Sequence, residues 1–137
     1  MKLGFEKGKA TTLIISAELF MYGTVLIRAD QTAEGLDLSY ASIADGGEVC
    51  GQSEQSFQGE SIQPIIQAIM DTDFPDQEDD ETYVSWSLQI GDDDGHSLCE
   101  IDHGTWENDI IDGIVDCIES IVGPCEAVES MRELLEY

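Results

Sequence analysis

Along Thr12–Phe20 the side chains alternate. Leu13, Ile15, Ala17 and Leu19 fall on one face, and Thr12, Ile14, Ser16, Glu18 and Phe20 on the other. A two-residue period places successive side chains on opposite faces of a strand, so this segment predicts a half-buried β-strand. Leu3 and Phe5 alternate with polar residues in the same way and predict the start of an earlier strand. Tyr22–Ala29 predicts the next strand, because Thr24, Val25 and Ile27 are β-branched and suit an extended backbone. The Met21-Tyr22-Gly23 junction between them reads as a bulge or a tight turn. After a loop at Gln31–Gly35, Leu36–Ile43 predicts another strand, with Leu36, Leu38 and Tyr40 on one face. Asp45-Gly46-Gly47 is a strong hairpin signal, since such residues accept positive φ. It leads into a short strand around Val49–Gly51, and the polar stretch Gln52–Glu60 reads as loop.

The period then changes. Ile62, Ile65, Ile66, Ile69 and Met70 recur at helical spacing, which predicts a helix over Ser61–Asp71 with Pro64 in its first turn. Strict alternation returns at Tyr83–Ile90, where Val84, Trp86, Leu88 and Ile90 share a face. Gly91–Gly95 turns the chain and His96–Asp102 returns as the second arm of a hairpin. Thr105 is an expected helix N-cap, with Glu107 and Asp109 in the first turn where the helix dipole favours acids. Ile110, Ile111, Ile114, Ile118, Ile121 and Val122 form the buried stripe of that helix, which Gly123-Pro124 ends. A last helix, Cys125–Leu135, presents Val128, Met131 and Leu135 inward. Strands, helix, hairpin and two helices, in that order, predict an α+β fold. The expected architecture is an antiparallel sheet of about five to seven strands with about three helices packed on one face. At 137 residues the chain reads as one domain, residues 1–137.

Charge changes this picture. The chain carries 30 acidic residues against five basic ones, a formal net charge of −25. Lys2, Lys7, Lys9, Arg28 and Arg132 are the five, so residues 29–131 hold 26 acids and no permanent positive charge. Such a surface repels itself and costs stability. A hydrophobic fraction of 42%, including 15 isoleucines, nonetheless supplies a core and argues against wholesale disorder. Direct binding to nucleic-acid phosphates or anionic membranes needs a basic surface and is excluded. Thr11–Ile27 is the most apolar run, but Glu18 interrupts it and Arg28 closes it, so no membrane span is expected. Lys2, Lys7 and Lys9 precede that run, but Glu6 and Glu18 make it a poor signal peptide, and a cytoplasmic location is expected. Cys50, Cys99, Cys117 and Cys125 contain no Cys-x-x-Cys pair and are expected to be reduced, mostly buried thiols.

The densest acidic run is Asp71–Glu81, where Asp71, Asp73, Asp76, Glu78, Asp79, Asp80 and Glu81 make seven acids in eleven residues. Fully extended, the run reaches about 36 Å, an acid about every 5 Å, against about 3.4 Å of rise per phosphate on one DNA strand. It reads either as a solvated loop or as an anionic strip for a basic groove. As a calcium loop it fails at the turn, where Pro75 replaces the third ligand and Asp76 the glycine. Asp92, Asp93 and Asp94 precede Gly95 in a β-turn and extend the same negative surface. His96, Cys99 and His103 do not follow zinc spacing, and a strand puts His96 on the face opposite Cys99 and His103. No metal or other cofactor is expected. No nucleophile elbow or phosphate-cradling glycine loop is present, and phosphate chemistry would lack its usual cationic clamp.

The expectation is therefore a non-enzymatic inhibitor that imitates nucleic acid and binds a basic nucleic-acid-binding protein, of the anti-restriction or anti-CRISPR type. Three alternatives remain at this level: an immunity protein for a basic toxin, a salt-adapted cytosolic protein, and an acidic chaperone. Asp71–Glu81 and Asp92–Asp94 are the expected contact residues. The oligomeric state is left open.

Overall fold

The computed structural model describes residues 2–19, 21–74, 84–104 and 108–135. Among the described residues there are six strands, all antiparallel to their neighbours: β1 (Thr12–Leu19), β2 (Gly23–Gln31), β3 (Gly35–Ala44), β4 (Val49–Gln58), β5 (Val84–Gly91) and β6 (Ser97–Gly104). They form one sheet in the order β4-β3-β2-β1-β5-β6. The helices are α1 (Gln63–Asp71), α2 (Asn108–Val122) and α3 (Glu126–Leu135). The fold class is the expected α+β, an antiparallel sheet with three helices.

The alternation read in β1 holds in full: Leu13, Ile15, Ala17 and Leu19 are buried. Strand register carries that face across the sheet, because directly paired residues point the same way. Ile15 pairs with Ile27 and Leu88, Leu13 with Ala29 and Ile90, and Ala29 with Leu38. The helices add Ile65, Ile66 and Ile69 from α1, Ile111, Ile114, Val115 and Ile118 from α2, and Ala127, Val128 and Met131 from α3. No charged side chain of the described residues is buried.

Local chemistry fixes the element ends. Met21 adopts φ 69° at the β1–β2 turn, and the Tyr22 amide donates to the Leu19 carbonyl at 3.0 Å. The next residue is Gly23, at φ 136°; a Cβ there would lie 2.2 Å from the Ile43 carbonyl oxygen, so a side chain is sterically barred. Gly123, at φ 78°, ends α2 by donating its amide to the Glu119 carbonyl at 2.7 Å. The first turn of α1 contains Pro64, as expected.

Two expectations are corrected. Leu3 and Phe5 do not start a strand; they are half-buried beside the core, ahead of a single 3₁₀ turn at Lys7–Lys9. Two apolar residues on either side of Gly4 are too few to hold a ladder. Gln52–Glu60 is not a loop, since β4 runs to Gln58 and its last eight residues pair continuously with Gly35–Ser42. This strand lacks an apolar alternation because most of its side chains are exposed, so only tertiary pairing reveals it. The cysteine expectation is also corrected: Cys50 is exposed and the other three are partly buried, all four being free.

Candidate acidic interaction surface

The start of the Asp71–Glu81 run is anchored. Asp71 is the last residue of α1 and its carboxylate accepts the Gln67 side-chain amide at 2.9 Å. Thr72 donates its hydroxyl to the Ala68 carbonyl at 2.7 Å, and Phe74 is fully buried in the core. Asp71 and Asp73 are exposed. Asp76, Glu78, Asp79, Asp80 and Glu81 lie outside the described residues.

Asp92–Asp94 form the β5–β6 turn. One Asp92 carboxylate oxygen accepts the backbone amides of Asp94 at 3.0 Å and His96 at 2.8 Å. The His96 backbone bond, followed by that of Asp94, holds the Asp92 carboxyl below the usual aspartate range, against the opposing effect of desolvation. Asp92 is therefore a turn-forming residue, while Asp93 and Asp94 are exposed. Potential ligand atoms of Asp92, Asp94 and His96 lie within 4.8 Å of one another. Asp92 already uses an oxygen to close the turn, and Cys99 is not part of this group. Cys99 pairs with the buried Ile90 on the helix side, where burial pushes its thiol up. The His103 side chain lies outside the described residues.

The helix-free face of the sheet carries acids that the runs did not highlight. Register places Glu18, Asp30, Asp37, Glu54 and Glu100 on this face, opposite to the core residues. One row crosses all six strands: Glu100, Gln89, Ile14, Arg28, Ser39 and Glu54. Arg28 is the one base of that row, and its Nε donates to Asp30 at 2.9 Å. Thr12 donates to the same carboxylate at 3.1 Å. A shallow concavity of about 450 Å³ lies at this end of the face, lined by Arg28, Asp30, Gln31, Gln89, Asp92 and His96, among others.

Lys9 and Arg132 are also matched with acids. Lys9 lies 3.2 Å from Glu6. Arg132 on α3 reaches three acids of α2: Asp112 at 2.7 Å, Glu119 at 3.4 Å, and Asp116. These acids stand at i, i+4 and i+7 on one helix, a stripe the sequence displays but whose cation comes from another element. Glu126, Glu129 and Glu133 are exposed on α3. Acids thus occupy both the helix layer and the open sheet face, not one side alone.

Among the described residues, large apolar side chains break the polar surface at one place. Met21 and Tyr22 are each 70% exposed and Val49 is 54% exposed. All three belong to one end of the sheet, where Thr24 pairs with Ile43 and Ile43 with Val49. Comparison with protein-family models, curated proteins and solved structures finds no match to this chain.

Proposed function

We propose that this protein is a non-enzymatic inhibitor that imitates nucleic acid and occupies the basic nucleic-acid channel of another protein. The observation that carries the proposal is the pairing of extreme charge with a folded scaffold: 26 acids and no lysine or arginine in residues 29–131. Arg28 and Arg132, which flank that stretch, are each tied to acids of the protein itself. Little positive charge is left to oppose a basic partner. A field of this sign speeds encounter with a lysine- and arginine-lined channel, and the attraction weakens with salt. The exposed acids of the described surface, Asp93, Asp94, Glu54 and Glu100 among them, are available to such a channel without unfolding. The proposed setting is the cytoplasm, where such enzymes work. No helix among the described residues is long and apolar enough to cross a membrane.

The presence of acids on both layers favours a second reading, a protein adapted to concentrated salt. The two separate in a competition experiment. A basic nucleic-acid enzyme is loaded with labelled duplex and titrated with the protein. Mimicry predicts displacement of the duplex in proportion to bound protein; salt adaptation predicts none.

A further inference from the structure

We propose that the free edge of β4 is a docking rail for an extended, lysine- or arginine-bearing segment of the partner, which adds to the sheet as a seventh strand. The inference rests on the reading that the partner is basic, and extends it to a place and a mode of contact.

The backbone supplies the first argument. β4 ends the strand order, and Gly51–Gln58 pair without interruption on one side with β3. Among the described residues no strand pairs on the other side. An antiparallel edge strand of eight paired residues leaves alternate amides and carbonyls unsatisfied, a ready template for another chain. Its side chains obstruct little: Gln52, Glu54, Gln55, Ser56 and Gln58 are exposed, and Gly51 and Ser53 are small. The usual protections of an edge, lysine and proline, are absent from β4. The register shift lies at Ser42/Ile43, outside the continuous segment. Val49, with Met21 and Tyr22 nearby, offers an apolar anchor at the start of the rail.

Charge selects the occupant. Glu54 is central to the rail, Asp37 lies on the same face of β3 opposite Ser56, and Glu48 and Glu60 flank the strand. No base occurs between Gly35 and Glu60. Arg28, two strands away in the Glu54 row, is held by Asp30. A second copy of this chain is disfavoured by the same residue. In a self-pair centred on the rail, opposite residues must share a face, so Glu54 falls opposite Glu54 or beside it. Like charges directly opposite destabilise a strand pair, while a lysine there is favoured. Glu54 thus opposes edge-to-edge dimers and admits a basic strand.

The test uses the whole protein and three synthetic octapeptides: alternating lysine–threonine, alternating glutamate–threonine, and the lysine–threonine peptide with N-methylated backbone amides. Binding is read by fluorescence anisotropy, and location by amide hydrogen exchange. The lysine–threonine peptide is expected to bind and to slow exchange within 51–58. The N-methylated peptide, with equal charge but without its ladder donors, is expected to bind at least about tenfold more weakly. Glu54→Lys, at an exposed position and checked for native circular dichroism, is expected to weaken the lysine–threonine peptide by at least about tenfold. Equal binding of the N-methylated peptide, protection outside 51–58, or a concentration-dependent dimer that protects 51–58 overturns the rail. Failure of duplex competition with peptide binding intact would remove the nucleic-acid reading alone. Duplex displacement by Glu54→Lys at parental strength would remove the rail alone.

Discussion

Gln31 accepts the Ile62 amide at 2.7 Å and shares its side-chain N–H groups among the carbonyls of Gly35, Thr32 and Glu60, at 2.8, 3.2 and 3.3 Å. One side chain thereby ties the β2–β3 turn to the entry of α1. Gln31→Ala leaves a part-buried amide and several carbonyls short of partners, and should cost about 1–2 kcal/mol in denaturant unfolding; a loss below experimental error would mean water replaces it fully. Asp92 gives a pH prediction. Its carboxyl is held low by the backbone amides of His96 and Asp94, so the folded protein binds that proton more weakly than the unfolded chain. Its contribution to stability is present above the ordinary aspartate value and is lost as pH falls through the lower folded value. Carbon-detected NMR titration should therefore place Asp92 below the ordinary aspartate range. Asp92→Asn should remove this acid-side dependence while keeping much of the turn, because an amide oxygen still accepts. An Asp92 titrating above the ordinary aspartate range would contradict the turn assignment.

At the scale of elements, Arg132 is the one cation between α2 and α3 among the described residues, facing Asp112, Asp116 and Glu119. Arg132→Gln breaks three ion pairs and leaves three acids on one stripe to repel each other. The expected loss is about 1 kcal/mol, larger at low salt than at high salt. Melting curves of parent and variant at two ionic strengths check it, and an equal loss at both would show that packing, not charge, dominates. Most elements were legible because burial imposes a period. The inward residues of β1, β3 and α1 alternate or recur with few exceptions, and Gly123-Pro124 marks the end of α2 chemically. What escaped has no such period. β4 is mostly polar because it lies at the edge, with Phe57 alone of Gly51–Gln58 packed against the core, so its sequence matches a loop. The acidic runs were visible as runs, yet Glu18, Asp37, Glu54 and Glu100 share a face only through strand register, which a linear reading does not provide. Likewise Asp92 looked like one of three equal acids, although its carboxylate closes the turn.

Over the whole molecule, a net charge of −25 sets the energetics. Screening shortens the reach of self-repulsion from about 30 Å at 10 mM salt to about 3 Å at 1 M. The melting temperature should rise across that range of sodium chloride; a flat curve would mean the charges are already compensated. Stability and binding should then respond to salt in opposite directions, which distinguishes a contact surface from mere adaptation to salt. The most direct measurement is competition between this protein and labelled duplex for a basic nucleic-acid enzyme, at about 50 and about 500 mM sodium chloride, a range over which phosphate-like contacts weaken steeply. The account predicts displacement at the lower salt, with affinity falling at the higher. It also predicts weaker displacement by the variant carrying Asp76→Asn, Glu78→Gln, Asp79→Asn and Asp80→Asn, with no loss of melting temperature. A parent protein that displaces no duplex at either salt would contradict it.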